Sequence, residues 1–244
     1  MHDKNIINTA LDYTRNAIGK RIGELIAEKR KVEGAYQPLY DMLSDYPFRE
    51  GKGLRPTLCI SAARGAGGFG HAALISATAL ELYHNAFLIH DDIEDGSEMR
   101  RKKETLHELI GIPRAVNTGD ATNVLAVSLL LENLKEIGVA KTLHVLHEIE
   151  QMARHSVEGQ SMELDWVAQQ VYNLDDEDYF KMCTKKTCWY TFISPCRIGY
   201  IIGASHRDER DMQNDLDELS RFGMLIGIAF QIQDDLLNLV GSVE

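Results

Sequence analysis

Apolar residues recur at helical spacing along almost the whole chain, and alternating strand patterns are scarce, so the sequence is confined to an all-α fold. Ile6, Ala10, Tyr13, Ile18, Ile22, Leu25 and Ile26 mark an opening amphipathic helix that runs to about Val32, and a shorter helix carries Leu39, Met42 and Leu43. Residues 46–53, holding Pro47, Gly51 and Gly53, read as a loop, and Pro56 suits the first turn of the next helix. Residues 65–70 form a second loop. Helical pattern resumes over 71–93, gives way to a polar, charged stretch at 96–103, and returns over 114–136, 139–171, 176–203 and 208–240.

A chain of 244 residues with 44% hydrophobic and 26% charged residues can bury one sizeable core, and a single domain over 1–244 is expected. No proline- or glycine-rich linker and no fixed-period repeat divides it. The formal charge of −11 leaves no broad cationic field and excludes nucleic acid as the main partner. Cys59, Cys183, Cys188 and Cys196 include no CxxC pair, which fits a reducing cytoplasm. No signal peptide leads the chain, and apolar runs such as 222–232 are too short or too interrupted to span a bilayer, so no transmembrane segment is expected.

Two acidic clusters stand near the ends of apolar helical stretches, DDIED at Asp91, Asp92 and Asp95, and DDLLN at Asp234, Asp235 and Asn238. In each, an oxygen-bearing side chain recurs four residues after the first Asp, which stacks the two on one helix face. Stacked carboxylates repel unless a cation joins them, and hard oxygen ligands without a Cys or His pair favour Mg²⁺ over zinc. Two such faces can hold a magnesium cluster between them, which is what a diphosphate requires.

Rival motifs carry less. Residues 65–70, GAGGFG, match the dinucleotide fingerprint in form, but no strand precedes them, so they are a connecting loop. Glu81 with His84 and Glu104 with His107 repeat the Glu-x-x-His pattern of di-iron bundles, yet Glu104 follows Arg100, Arg101, Lys102 and Lys103, a poor setting for two buried cations. That basic run begins five residues after Asp95, where arginine forks and lysine charges can face a metal-held phosphate. GKGLRP sets Lys52 and Arg55 at a helix entrance that itself favours an anion. Lys185, Lys186 and Thr187 form a further basic element.

GKGLRP, ELYHNAFLIHDDIEDGSEMRR, NTGDATNVLA, EGQSMELDW, KKTCWY and FQIQDDLLNLVG together resemble, in order and spacing, the trans-isoprenyl diphosphate synthases, or polyprenyl synthetases, across most of the chain from about Gly51 to Leu239. The resemblance implies the isoprenoid synthase fold, a helical bundle around a deep central cavity and usually a homodimer. It implies that Asp91 and Asp95 are metal ligands with Asp92 assisting, and that Asp234 leads the second metal-binding motif, supported by Asp235. Lys52, Arg55, His84 and Arg101 correspond to residues that bind isopentenyl diphosphate. Arg100, Lys186 and Gln231 stand where the family contacts the allylic diphosphate, with Thr187 and Gln160 lining that side. The implied reaction ionises the allylic diphosphate, adds isopentenyl diphosphate to the cation, and releases a proton to the departing diphosphate.

In this family, side chains just before the first acidic motif set product length. Ala86 opens space there, whereas Phe87 is a bulky floor and Tyr83 another possible stop, so an intermediate product is expected, geranylgeranyl diphosphate ahead of farnesyl diphosphate. Two departures stand out. Asn238 replaces a common Asp, which keeps an oxygen ligand but not its charge, and the chain stops at Glu244 where the family continues through further helices. A terpene cyclase would need only one anion site, and a catalytically silent partner subunit would show degraded motifs. Intact Lys52, Arg55 and His84 favour chain elongation over both.

Overall fold

The computed structural model describes residues 2–49, 51–204 and 209–240, which are helical almost throughout. The helices are α1 (His2–Arg30), α2 (Gln37–Leu43), α3 (Leu54–Gly65), α4 (Leu74–Glu94), α5 (Leu106–Ile110), α6 (Ile112–Leu130), α7 (Asn133–Glu136), α8 (Gly138–Ala168), α9 (Asp176–Cys183), α10 (Ser194–Gly203) and α11 (Glu209–Val240). A π-helical segment, Thr184–Ile193, joins α9 to α10, and a minimal antiparallel hairpin, β1 (Met99–Arg100) and β2 (Lys103–Glu104), follows α4. The all-α expectation holds. Position 208, where the last helix was expected to begin, lies outside the described residues.

Three expected boundaries are corrected. The charged stretch 96–103 does leave the helix, but it turns back on itself as the β1–β2 hairpin, with Arg100 paired to Lys103. The helix expected over 114–136 begins earlier, at Ile112, and is followed by the separate turn α7, while α5 was not anticipated. Gly111, at φ 83°, separates α5 from α6 because this backbone conformation suits glycine and stops the helix. The helix expected over 176–203 is continuous but widens to π spacing in its middle.

The chain forms two compact units, residues 1–57 with 71–142, and residues 58–70 with 143–244. In the first, α4 packs lengthwise against α6, and the buried face of α1, Ile18, Ile22, Leu25 and Ile26, adds to the core. Tyr46, Ile89, Leu106 and Ala115 form one buried cluster beneath the hairpin, with Leu88, Ile93 and Ile110 against it. By length and hydropathy alone Gly70–Glu94 is apolar enough to cross a membrane, a stretch the sequence reading did not single out. Most of that stretch is buried inside the protein, and its last turn carries Asp91, Asp92 and Glu94.

The second unit is built on α8, α10, α11 and the π-helical segment. Arg197 is its central buried ion: Nε and Nη2 donate to both oxygens of Glu148 at 2.7 Å, and Nη1 donates to the Leu216 carbonyl and the Ser220 hydroxyl. Gly227 explains how closely the π-helical segment lies on α11, since a Cβ there would meet Cys188 Sγ at 2.5 Å.

Candidate active site

In the first unit, the acidic and basic candidates share α4 and its flanks. Asp91 and Asp95 are stacked one turn apart, with the Asp95 amide donating to the Asp91 carbonyl at 2.9 Å; Asp91 is partly exposed and Asp95 exposed. Asp92 differs: it is fully buried, its Oδ2 accepts from the Tyr46 hydroxyl and its Oδ1 from Arg100 Nε. Tyr46 in turn accepts the Leu106 amide. Burial pulls the Arg100 guanidinium down, but Asp92 and Asp91 outweigh it and hold it raised. The Tyr46 hydroxyl is pushed well above its ordinary range by burial and by Asp92.

Of the residues expected to bind isopentenyl diphosphate, Arg55, Arg101 and His84 come together. Burial, then the positive charges of Arg55, Arg101 and Arg100, hold His84 well below the usual histidine range, so it is neutral near pH 7. Glu81, one turn before Asn85 on the same helix, is raised by burial, with Arg55 and Arg101 opposing. The Arg101 guanidinium lies over Gly51, where a Cβ would meet Nη1 at 3.0 Å, and Lys52 stands exposed beside it in the chain. His84, Asp91 and Asp95 recur at helical spacing on one face of α4, so the basic and acidic groups are separated by about 10 Å of helical rise.

In the second unit, a chain of hydrogen bonds joins four side chains. Thr187 Oγ1 donates to Gln231 Oε1 at 2.7 Å, Gln231 Nε2 donates to Asp235 Oδ1 at 2.8 Å, and the Tyr179 hydroxyl donates to Asp235 Oδ2 at 2.5 Å. Both Asp235 oxygens are therefore engaged, while Asp234 and Asn238 are exposed one turn apart. Lys186 pairs with Glu163 and Lys185 with Glu158. Gly159 admits this approach of α8, because a Cβ there would lie 2.3 Å from the Lys186 amide nitrogen. Gln160 follows it, partly buried, on α8.

Tyr83, Ala86 and Phe87 lie along α4 above the acidic cluster. The Tyr83 and Phe87 rings are tilted at 6.3 Å, and Ala86 is fully buried. Glu104 of the rival di-iron pattern is exposed on β2.

No group of three or more His, Cys, Asp or Glu side chains forms a complete metal cage among the described residues. What each acidic face offers instead is two oxygen-bearing side chains one turn apart, exposed or partly exposed. That donor set fits Mg²⁺, which binds through one or two carboxylates and keeps waters or substrate phosphates for its other positions. Tyr46, Tyr179 and Glu163 engage expected site residues but were not singled out from sequence. Glu163 lies inside EGQSMELDW and was open to notice; the two tyrosines carry no local signal.

The protein is similar in structure to the geranylgeranyl pyrophosphate synthetase of Pyrococcus horikoshii, with a TM-score of 0.86 and 30% identity over 99% of this chain and 69% of that one. Its fold is thus the isoprenoid synthase fold. Residues 37–244 match the Polyprenyl synthetase family, and the chain belongs to that family. Among curated relatives it is 32% identical over 228 residues to the geranylgeranyl pyrophosphate synthase of Geoglobus acetivorans, covering 92% of this chain and 66% of that protein. It is 33% identical over 195 residues to the (2E,6E)-farnesyl diphosphate synthase of Mycobacterium tuberculosis, covering 80% of this chain and 50% of that protein. The chain therefore spans about half to two thirds of the length of these relatives.

Proposed function

We propose that the protein is a magnesium-dependent prenyltransferase that condenses isopentenyl diphosphate with an allylic diphosphate to give an all-trans prenyl diphosphate, geranylgeranyl diphosphate ahead of farnesyl diphosphate. The observation that carries this reading is the placement of two anion-handling groups along one face of α4: the Arg55, Arg101 and His84 cluster, and the Asp91 and Asp95 pair about 10 Å further on. One group suffices for a single diphosphate; two suit a reaction that joins two.

Each residue then has a physical task. Asp91 and Asp95 on the first acidic face, and separately Asp234 and Asn238 on the second, would each bind Mg²⁺. Bound Mg²⁺ supplies charge stabilisation to the oxygens of the departing diphosphate. Arg100 and Lys186 add fixed positive charge for the allylic diphosphate, each preset by a carboxylate partner, Asp92 and Glu163. Lys52, Arg55 and Arg101 hold isopentenyl diphosphate, and neutral His84 offers it a hydrogen bond without adding a competing cation. Held at near-attack distance, its double bond adds to the allylic cation, and a proton leaves the adduct to the released diphosphate. Apolar helix faces exclude the water that would quench the cation. Tyr83, Ala86 and Phe87 limit the tail.

A homodimer is part of this proposal. Val124, Val127 and Leu131 leave an exposed apolar stripe at helical spacing at the end of α6, which suits a second copy. Four unpaired, buried cysteines support a reducing, cytoplasmic setting.

The test is incubation with labelled isopentenyl diphosphate, Mg²⁺ and dimethylallyl, geranyl or farnesyl diphosphate, with products resolved by chromatography. A linear prenyl diphosphate is expected. A cyclised hydrocarbon, or no product from any starter, contradicts the proposal.

A further inference from the structure

Arg49 has no task in the reaction above, yet its side chain is only 1% exposed and its guanidinium is fully committed. Nε donates to Asp45 Oδ1 at 2.6 Å, Nη1 to the Arg100 carbonyl at 3.2 Å and Nη2 to the Glu104 carbonyl at 2.7 Å. The guanidinium carbon stands 4.3 Å from the centre of the Tyr46 ring. The two carbonyls belong to opposite strands of the hairpin, one on each side of its turn.

That turn is strained. Arg101 and Lys102 have φ of 54° and 64°, two successive left-handed residues of the kind that hairpin turns usually fill with Asn-Gly. Residues with a Cβ hold such a conformation only where their surroundings over-determine it. Here the neighbouring contacts converge on Arg49: Arg101 Nη1 donates back to the Arg49 carbonyl at 3.4 Å, and Arg100 is fixed from its other end by Asp92.

We propose that Arg49 is a positioning residue that clamps the two hairpin strands together, holds the Arg101–Lys102 turn in its left-handed conformation, and thereby aims the Arg100 and Arg101 guanidinium groups. The aim toward diphosphates rests on the prenyltransferase reading; the clamp itself does not. A planar fork is required, because a lysine at this position reaches only one strand.

The variants that test it are Arg49→Met, Arg49→Lys and each of these combined with Lys102→Gly, which relieves the turn at its second residue. Hydrogen exchange followed by mass spectrometry on the whole chain, over a peptide spanning 97–106, reads the hairpin without any activity assay. The Thr105 amide, bonded to the Glu98 carbonyl at 2.9 Å, is one protected reporter. Arg49→Met is expected to speed exchange there by about tenfold or more, and Lys102→Gly to restore most of the protection. In turnover, Arg49→Met is expected to raise KM for isopentenyl diphosphate about tenfold with kcat changed less than about threefold, and this loss is smaller in the Lys102→Gly background. Should Arg49→Met fail to fold, Arg49→Lys carries the same comparison. Unaltered hairpin exchange, or a KM loss of equal size in both backgrounds, overturns the proposal. Wild-type protein with no turnover, but with the predicted exchange pattern, upholds the clamp and removes the prenyltransferase reading instead.

Discussion

The Tyr46 hydroxyl donates to Asp92 Oδ2 at 2.5 Å, joining a short turn to the middle of the first acidic cluster 46 residues later in the chain. With Arg100 on its other oxygen, Asp92 is a buried anchor, unlike Asp91 and Asp95, which face solvent. Adjacent aspartates therefore do different work. Asp92→Ala leaves Arg100 and Tyr46 without their partner and is expected to lower stability by about 3–5 kcal/mol, whereas Tyr46→Phe should lower it by about 1–3 kcal/mol. Asp91→Ala should leave stability within about 0.5 kcal/mol and cut turnover by about a hundredfold or more. Urea denaturation beside steady-state rates separates the two; equal stability losses at positions 91 and 92 would show that Asp92 is no anchor.

His84 gives the protein a pH dependence of known sign. Its folded pKa lies well below the ordinary histidine value of about 6.5, so below that pH the unfolded chain binds the extra proton first. Its contribution is whole above about pH 6.5 and is lost as pH falls from there toward the folded value, by at most about 1.4 kcal/mol per pH unit. His84→Gln should flatten the fall in stability just below pH 6.5. An unchanged slope in denaturation curves taken across that range would mean that His84 is not held neutral.

The sequence made the helices legible because burial on one face repeats every three or four residues, and α1, α2, α4, α8 and α11 stand close to the expected limits. It could not distinguish π from α spacing over Thr184–Ile193, since none of those residues is exposed and no polar stripe marks a period. The hairpin was hidden for a chemical reason: Arg101 and Lys102 are the wrong residues for its turn, and the force that holds them comes from Arg49, about fifty positions away. DDIED announced the acidic residues, but nothing local separates buried Asp92 from partly exposed Asp91. That distinction is made by Tyr46, through a contact between distant parts of the chain.

Phe87 and Tyr83, one turn apart on α4 with ring centroids at 6.3 Å, bear on product length. Replacing Phe87 by Ala removes the ring nearer the acidic cluster and is expected to lengthen the product by one or more isoprene units. Mass spectrometry of the product mixture reads this directly, and an unchanged chain length removes Phe87 as the floor.

Asn238 lies exposed one turn beyond Asp234 on α11. An amide oxygen ligates Mg²⁺ without contributing charge, so Asn238→Asp should lower the Mg²⁺ concentration for half-maximal rate by about twofold or more. A titration curve that superimposes on wild type would exclude this position from metal binding.

A chain that joins two diphosphates must bind both at once by different means, one through metal and acidic residues and one through arginines and lysine. Calorimetric titration with an unreactive allylic thiodiphosphate, followed by isopentenyl diphosphate, counts them. One thiodiphosphate per chain is expected only when Mg²⁺ is present, and then one isopentenyl diphosphate that Arg55→Ala abolishes. A single diphosphate per chain, or a thiodiphosphate bound equally well without Mg²⁺, would contradict this.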